Sequence, residues 1–136
     1  MAEYVMKDLV KKAGLEAEFQ IASAATSREE IGNPIYPPAR RKLREKGIPF
    51  GDHRAVQMTR QDYGAYDLHL AMDQANVRNM TAIAGGDPAG KIRRLLDFTD
   101  HPRDIADPWY TGDFEATYDD LLQGCQALLD WLEEQD

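Results

Sequence analysis

The sequence is poor in thiol and imidazole groups, which are common ligands of metal sites. It has one cysteine, Cys125, and three histidines, His53, His69 and His101. A single cysteine excludes an internal disulfide framework and a zinc site built on cysteines. The histidines are widely spaced, and none has a second His, Cys or Glu at metal-ligand spacing. We therefore expect no metal and no cofactor.

Long hydrophobic runs are also missing. No apolar stretch approaches the ~18 residues of a membrane span, and the first residues lack the basic and apolar segments of a signal peptide. The chain carries 24 acidic and 16 basic side chains, a net charge of −8. An acidic surface argues against binding to a nucleic-acid backbone. We expect a cytoplasmic protein without a membrane or nucleic-acid partner; the sequence specifies no oligomeric state.

Segments with helical periodicity alternate with short apolar segments. We predict helices over residues 2–13, 39–46 and 73–80 and from residue 114 onward, and strands over residues 19–24, 67–72 and 91–96. This alternation is typical of a parallel sheet covered on both faces. The chain has 136 residues, of which 43% are hydrophobic, enough for one core. We therefore predict a single α/β domain over residues 1–136, a three-layer sandwich with a short parallel sheet flanked by helices.

The last predicted helix carries the strongest apolar stripe of the sequence. Its members recur at helical spacing: Phe114, Tyr118, Leu121, Leu122, Cys125, Leu129 and Leu132. A cysteine within such a stripe is most often a buried, inert thiol. A phosphatase-type cysteine nucleophile needs an arginine six positions later, and Trp131 stands there. We therefore reject Cys125 as a nucleophile.

A glycine-rich segment, residues 85–91, nearly matches a phosphate-binding P-loop. Gly85, Gly90 and Lys91 have the required spacing, but Ile92 stands where a magnesium-binding Ser or Thr is needed. A helix should also follow, whereas we predict a strand. A solvent-exposed loop is the better interpretation.

The segment Asp107-Pro108-Trp109-Tyr110 combines an acid, a stiff turn and two aromatic residues just before a helix. An acid in such a position can give a proton to a leaving group while aromatic rings hold a flat substrate. Alone the segment is weak evidence, because Asp-Pro pairs are common in turns and aromatic residues often anchor loops. Its significance depends on the segments around it.

Several segments carry family motifs in a fixed order. They are residues 1–10, which fit the helix after a phosphate loop; 21–27, a strand and its loop; 53–59, an H-x-A-x-Q-x-T segment; 66–73 and 91–96, two further strands; and 107–110, a D-P-[YW]-Y loop. Together they resemble the low-molecular-weight protein tyrosine phosphatases. The resemblance covers nearly the whole chain, and six ordered motifs are far more specific than one.

The resemblance implies a mechanism and assigns residues to it. In the family a cysteine thiolate attacks phosphorus, and an aspartate protonates the departing oxygen and then activates water. Asp107 matches that general acid, and Trp109 and Tyr110 would line the substrate cleft. Ser23 and His53 match positions that brace the phosphate loop. The implied partner is a phosphorylated protein or a small phosphomonoester. Phosphotyrosine, phosphoarginine and a small ester remain open as substrates.

Two departures from the family pattern matter. Glu29 occupies a cleft-wall position where some members carry an aromatic residue, which weakens the expected stacking on a phosphotyrosine ring. The family's first strand and its C-x4-[CS]-R-S-P phosphate loop have no counterpart in this sequence. We therefore expect the chain to be truncated at its N-terminus relative to the family, and inactive by itself.

Two alternatives remain. The chain is a nucleophile-free relative that acts as a binding or regulatory module, or it is an unrelated small α/β protein.

Overall fold

The computed structural model describes residues 1–26, 35–51 and 56–134, except for the side chains of Trp109 and Tyr110. The α-helices within these ranges are α1 Ala2–Lys12, α2 Pro37–Glu45, α3 Arg60–Ala65, α4 Gln74–Ala84, α5 Pro108–Thr111 and α6 Phe114–Glu134. The strands are β1 His69–Ala71 and β2 Ile92–Arg94, and short 3-10 helices span Glu16–Glu18 and Leu95–Phe98.

The sheet is short and parallel. β1 pairs with β2, so that His69 lies opposite Ile92 and Ala71 opposite Arg94. Parallel neighbours need a crossover connection, and α4 supplies it. The predicted α/β class, a short parallel sheet flanked by helices, is confirmed.

Two of the predicted strands differ from the structure: one forms no ladder in the described part of the chain, and the other is shorter than predicted. Residues 19–24 form no ladder in the described part of the chain; a single parallel bridge joins Ala25 to Gln57. The strand predicted over residues 91–96 ends at Arg94, because the backbone turns into a 3-10 helix at Leu95. An apolar run predicts a buried strand, but hydrogen bonds to a neighbouring strand decide whether a ladder forms, and residues 19–24 are half-buried or exposed.

The helix boundaries follow local capping chemistry. α3 begins with a capping box, in which Asp62 accepts a hydrogen bond from the Thr59 N–H at 2.8 Å. Asp73 caps α4 by accepting from the Asn76 N–H at 2.7 Å. The helix predicted from residue 39 begins earlier, at Pro37. Proline fits the first turn of a helix, because its missing N–H needs no partner there.

Aspartate side chains cover the outer edge of β2. The His69 N–H donates to the Lys91 carbonyl oxygen. In a parallel ladder with this bond, the backbone N–H groups of Ile92 and Arg94 point away from β1. The Ile92 N–H donates to Asp87 at 3.2 Å and the Arg94 N–H donates to Asp97 at 3.0 Å. Both outward amides are therefore satisfied, which prevents this edge from pairing with another strand.

The main core lies between α1, α6 and the end of β2. Its buried residues come from these two helices, from the 3-10 helix after β2 and from the loop before α5, and they include Val5, Val10, Leu95, Leu96, Ile105, Leu121, Cys125, Leu128 and Leu129. α6 approaches Leu95 closely at Gly124, where an added Cβ atom would lie 2.7 Å from Leu95 Cγ. Within the described ranges, no helix combines the length and apolar character needed to cross a membrane.

Candidate active site

Asp107 is exposed on a loop that is anchored to the end of β1. Two residues before it, Ile105 is only 3% exposed. The Ile105 N–H donates to the Met72 carbonyl, directly after β1, at 2.8 Å. Ligands of parallel α/β sheets bind outside the carboxyl ends of the strands. The loop that carries Asp107 therefore lies at the edge of the sheet where folds of this kind bind their ligands.

Asp104 attaches the same loop to β2 and α4. One of its carboxylate oxygens accepts from the Arg94 guanidinium and from the Gln74 N–H, each at 3.0 Å. Arg94 is the last residue of β2 and Gln74 the first of α4. The acidic loop is thus tied to the carboxyl ends of both strands and to a helix N-terminus.

The loop is also tied to α6. The Arg103 guanidinium donates to both carboxylate oxygens of Asp120, at 2.6 and 3.1 Å. The Thr117 hydroxyl donates to the Ala106 carbonyl at 3.3 Å. A bidentate Arg–carboxylate pair has a defined geometry, so this pair fixes the orientation of the loop against α6 in addition to holding the two together. These contacts fix the backbone on the N-terminal side of Asp107.

On its C-terminal side, Asp107 leads directly into α5. The Thr111 N–H donates to the Asp107 carbonyl at 3.3 Å, and the Gly112 N–H donates to the Pro108 carbonyl at 2.8 Å. Gly112 has a φ of +71°, which reverses the chain before α6 at little steric cost. Trp109 and Tyr110 lie within α5, but their side chains lie outside the described part of the structure.

Ser23, predicted to brace a phosphate loop, contacts the first turn of α1. Its hydroxyl donates to Glu3 Oε1 at 2.7 Å, and the Lys7 ammonium donates to Glu3 Oε2 at 2.8 Å. Glu3 is buried, at 9% exposure, and these donors satisfy its carboxylate. Ser23 therefore ties the chain that follows α1 to the first turn of that helix.

Two predicted site residues remain, together with the cysteine that the sequence analysis rejected as a nucleophile. Glu29 and His53 lie outside the described residues. Cys125 is 2% exposed in the core, and burial raises the pKa of its thiol to about 12. A buried thiol with a raised pKa is a poor nucleophile at neutral pH. The structure therefore agrees with the sequence analysis, which rejected Cys125 as a nucleophile.

The glycine-rich segment at 85–91 uses its amides internally. Asp87 accepts hydrogen bonds from the Lys91 N–H at 2.8 Å, the Ile92 N–H at 3.2 Å and the Tyr63 hydroxyl at 2.5 Å. Its own carboxylate therefore takes the place that a phosphate has in a P-loop. A strand follows, as predicted, so the P-loop interpretation fails on both geometry and context.

Sequence reasoning missed Glu3, Arg94 and Asp104. Each is one charged residue among many, and only the folded chain brings Asp104 against Arg94. No composition or spacing signal would have selected them. Among residues 1–26, 35–51 and 56–134, no group of three His, Cys, Asp or Glu side chains could hold a metal ion.

Comparisons with known proteins agree with the motif pattern. A family model described as "Low molecular weight phosphotyrosine protein phosphatase" matches residues 1–136. The low molecular weight protein-tyrosine-phosphatase YfkJ of Bacillus subtilis is 37% identical over 131 residues, which cover 95% of this chain and 84% of YfkJ. The human low molecular weight phosphotyrosine protein phosphatase is 33% identical over 135 residues, covering 96% of this chain and 85% of the human protein.

Solved structures show the same backbone. The crystal structure of YfkJ matches with a TM-score of 0.95 over 99% of this chain and 86% of that chain, at 34% identity. A protein tyrosine phosphatase from Entamoeba histolytica, crystallised with Hepes in its active site, matches with a TM-score of 0.90 at 25% identity, covering 98% and 88% of the two chains. Because the family model spans the whole sequence and these relatives cover nearly all of it, the chain belongs to the low molecular weight phosphotyrosine protein phosphatase family.

Proposed function

We propose that this protein takes part in the hydrolysis of a phosphomonoester, on a phosphorylated protein or a small molecule, with Asp107 as the general acid. Family membership supports the reaction class. The observation that carries the assignment of Asp107 is the 2.8 Å hydrogen bond between Ile105 and Met72, which holds the loop of this exposed acid at the carboxyl end of β1.

In this proposal the cysteine thiolate of the family's phosphate loop, which these 136 residues do not supply, attacks phosphorus, and the bond from phosphorus to the leaving oxygen breaks. The Asp107 carboxylic acid gives its proton to that oxygen. The Asp107 carboxylate then takes a proton from water, which attacks the phosphocysteine and releases phosphate and thiolate. The loop contacts of Arg103 and Asp104 keep the carboxyl group in place for both proton transfers. No step needs a metal or another cofactor.

Further assignments belong to the same proposal. Glu29, Trp109 and Tyr110 line the substrate cleft, and Ser23 and His53 brace the phosphate loop. The contact of Ser23 with Glu3, in the first turn of α1, supports the role of Ser23. We also propose that residues 1–136 act as a single domain in the cytoplasm.

The 136 residues by themselves are proposed to be inactive. Their one cysteine, Cys125, is buried in the core and has a raised thiol pKa. Hydrolysis of p-nitrophenyl phosphate by this polypeptide should therefore match a blank. Steady, vanadate-sensitive hydrolysis would contradict the proposal. Binding of phosphopeptides without turnover would instead favour a binding or regulatory module.

The role of Asp107 is tested in a fusion that places the family's first strand and its Cys-x5-Arg phosphate loop before Met1. Asp107→Asn should lower turnover of phenyl phosphate, which has a poor leaving group, by about 100-fold to 10,000-fold. The loss for p-nitrophenyl phosphate should be much smaller, since its leaving group needs less protonation. Asp119→Asn, at an exposed position of α6, is the matched control. Equal losses for both esters in Asp107→Asn would remove Asp107 from the acid role.

A further inference from the structure

The two edges of the β1–β2 sheet differ in how their backbone groups are satisfied. On the β2 edge, the Ile92 N–H donates to Asp87 at 3.2 Å. The Arg94 N–H on the same edge donates to Asp97 at 3.0 Å. Carboxylates therefore take the place of a further strand beside β2. The edge of β1 is different, and its centre is Leu70.

Leu70 directs its backbone polar groups away from β2. The His69 N–H donates to the Lys91 carbonyl oxygen at 2.9 Å, and alternate residues of a parallel strand bond to the same neighbour. His69 and Ala71 therefore face β2, and Leu70 faces outward. Within the described residues, neither the N–H nor the carbonyl oxygen of Leu70 has a hydrogen-bond partner. Such an edge is a template for pairing with another strand.

The open edge ends at Met72. The Met72 N–H donates to Asn76 Oδ1 at 3.3 Å, and its carbonyl oxygen accepts from the Ile105 N–H at 2.8 Å. Ile105 thus occupies the position that a neighbouring strand would have beside Met72. An incoming strand pairs at Leu70 and has to end before Ile105.

The side chains around this edge are apolar. Leu68, Leu70 and Met72 are half-buried and pack against the main core. Phe19 and Ile21 are also half-buried and pack against the same core, and their segment forms no ladder in the described part of the chain. A segment that covers these side chains is itself expected to be apolar, because it removes apolar surface from water.

We propose that the open edge of β1 binds an extended apolar segment of another protein as a parallel strand. The backbone of the segment pairs with Leu70, and its side chains cover the half-buried apolar residues around the edge. In this mode of recognition, main-chain hydrogen bonds supply affinity and the side chains give specificity. The parallel direction matches the pairings already present, of β1 with β2 and of Ala25 with Gln57.

A second copy of this chain fits the edge less well. A two-fold axis at Leu70 would place the β1 strands of both copies side by side. Each strand would then run on to the position beside Met72, which Ile105 already occupies. A segment of a different protein is free to turn away at that point.

The test measures binding and needs no catalysis, so it is independent of the role of Asp107. A fluorescein-labelled peptide of alternating valine and isoleucine, with serine and lysine at each end, is titrated with the 136-residue protein, and anisotropy is recorded. The control peptide has the same side chains but an N-methyl group on each apolar amide, which removes the main-chain donors. Amide exchange of the protein is followed by NMR with and without the peptide.

We expect the peptide to bind and the N-methylated peptide to bind at least about tenfold more weakly. The Leu70 amide should exchange about tenfold more slowly in the complex, whereas the Arg94 amide, bonded to Asp97 on the other edge, keeps its rate. Binding should change less than about twofold between ~50 and ~300 mM salt, since main-chain pairing involves no net charge.

The fusion used to test Asp107 serves as the competitor, because it carries a strand in the same chain. A strand attached before Met1 has a high effective concentration at the edge, so the fusion should bind the peptide at least about tenfold more weakly. Equal binding by the fusion would place the peptide elsewhere and overturn the proposal.

The proposal is also overturned by absence of binding up to about 1 mM, by equal binding of the N-methylated peptide, or by protection of the Arg94 amide instead of the Leu70 amide. Sedimentation covers the remaining occupant. A dimer in which the Leu70 amide is protected without peptide would assign the edge to a second copy and overturn the proposal.

Discussion

The backbone N–H of Ile105 donates to the carbonyl oxygen of Met72 at 2.8 Å. This hydrogen bond joins the end of a strand to a loop that lies more than thirty residues further along the chain. Because Ile105 is also buried in the main core, the backbone two residues before Asp107 has little freedom. The proposed acid therefore owes its position to the sheet and the core rather than to its own contacts alone.

Asp104→Ala should loosen this loop, because it removes the shared acceptor of Arg94 and Gln74. We expect the Ile105 amide to exchange its hydrogen faster and the free energy of unfolding to fall by about 1 kcal/mol. Hydrogen–deuterium exchange with mass spectrometry and urea titration measure the two effects. Asp119→Ala removes the same charge from an exposed position of α6 and is the control. Unchanged exchange at Ile105 would show that the backbone bond to Met72 suffices.

Two Gly→Ala substitutions should act in opposite directions. At Gly124 the new methyl group would lie 2.7 Å from Leu95 Cγ and 3.2 Å from Leu96 Cδ2, so we expect a loss of about 1–3 kcal/mol. Gly64, in α3, has no heavy atom within 4 Å of an added Cβ atom. Alanine there should stabilise the protein by about 0.5–1 kcal/mol, since it restricts the unfolded chain. Urea unfolding measures both, and destabilisation by Gly64→Ala would contradict the described packing of α3.

The stability of the contact between α2 and α6 should depend on acidic pH through Glu115. Hydrogen bonds from Lys42 at 2.6 Å and Lys46 at 2.8 Å lower the pKa of Glu115 to about 2. A carboxylate with a lowered folded-state pKa stabilises the protein above its unfolded pKa of about 4.3 and loses that effect as pH falls towards 2.

The urea midpoint of the native protein should therefore exceed that of Glu115→Gln at pH 7, and the difference should shrink between pH 5 and pH 2. Glu133→Gln, at an exposed position of the same helix, should show no such dependence. A difference that stayed constant with pH would mean that Glu115 acts through packing and not through its charge.

Cys125 should be unreactive in the folded protein. Burial raises the pKa of its thiol to about 12, and its side chain is enclosed by the core. We expect iodoacetamide at pH 8 to leave the native chain unmodified and to alkylate it fully in urea, as followed by intact mass. Rapid alkylation of the native chain would show that α6 opens readily at this position.

The sequence gives a good account of the local structure. Thr59 with Asp62 and the apolar stripe of α6 each identify a helix, because capping and periodicity depend only on near neighbours. Prediction from the sequence is less reliable where a residue far along the chain decides whether a strand forms. The apolar residues 19–24 predict a strand, yet the described part of this region shows a single parallel bridge, between Ala25 and Gln57. The end of β2 at Arg94 is likewise set by Asp97 and the turn after it.

The ordered motifs, and Asp107 with them, were readable from the sequence alone, since a family pattern consists of residue types at fixed spacing. The sequence likewise determined the α/β class and the exclusion of Cys125 as a nucleophile. Only the tertiary structure decided that Asp104 joins Arg94 to Gln74, that Ser23 reaches Glu3, and that cations lie over Tyr4 and Phe50. These contacts join residues far apart in the chain, and their geometry exists only once the core has brought the helices and strands together.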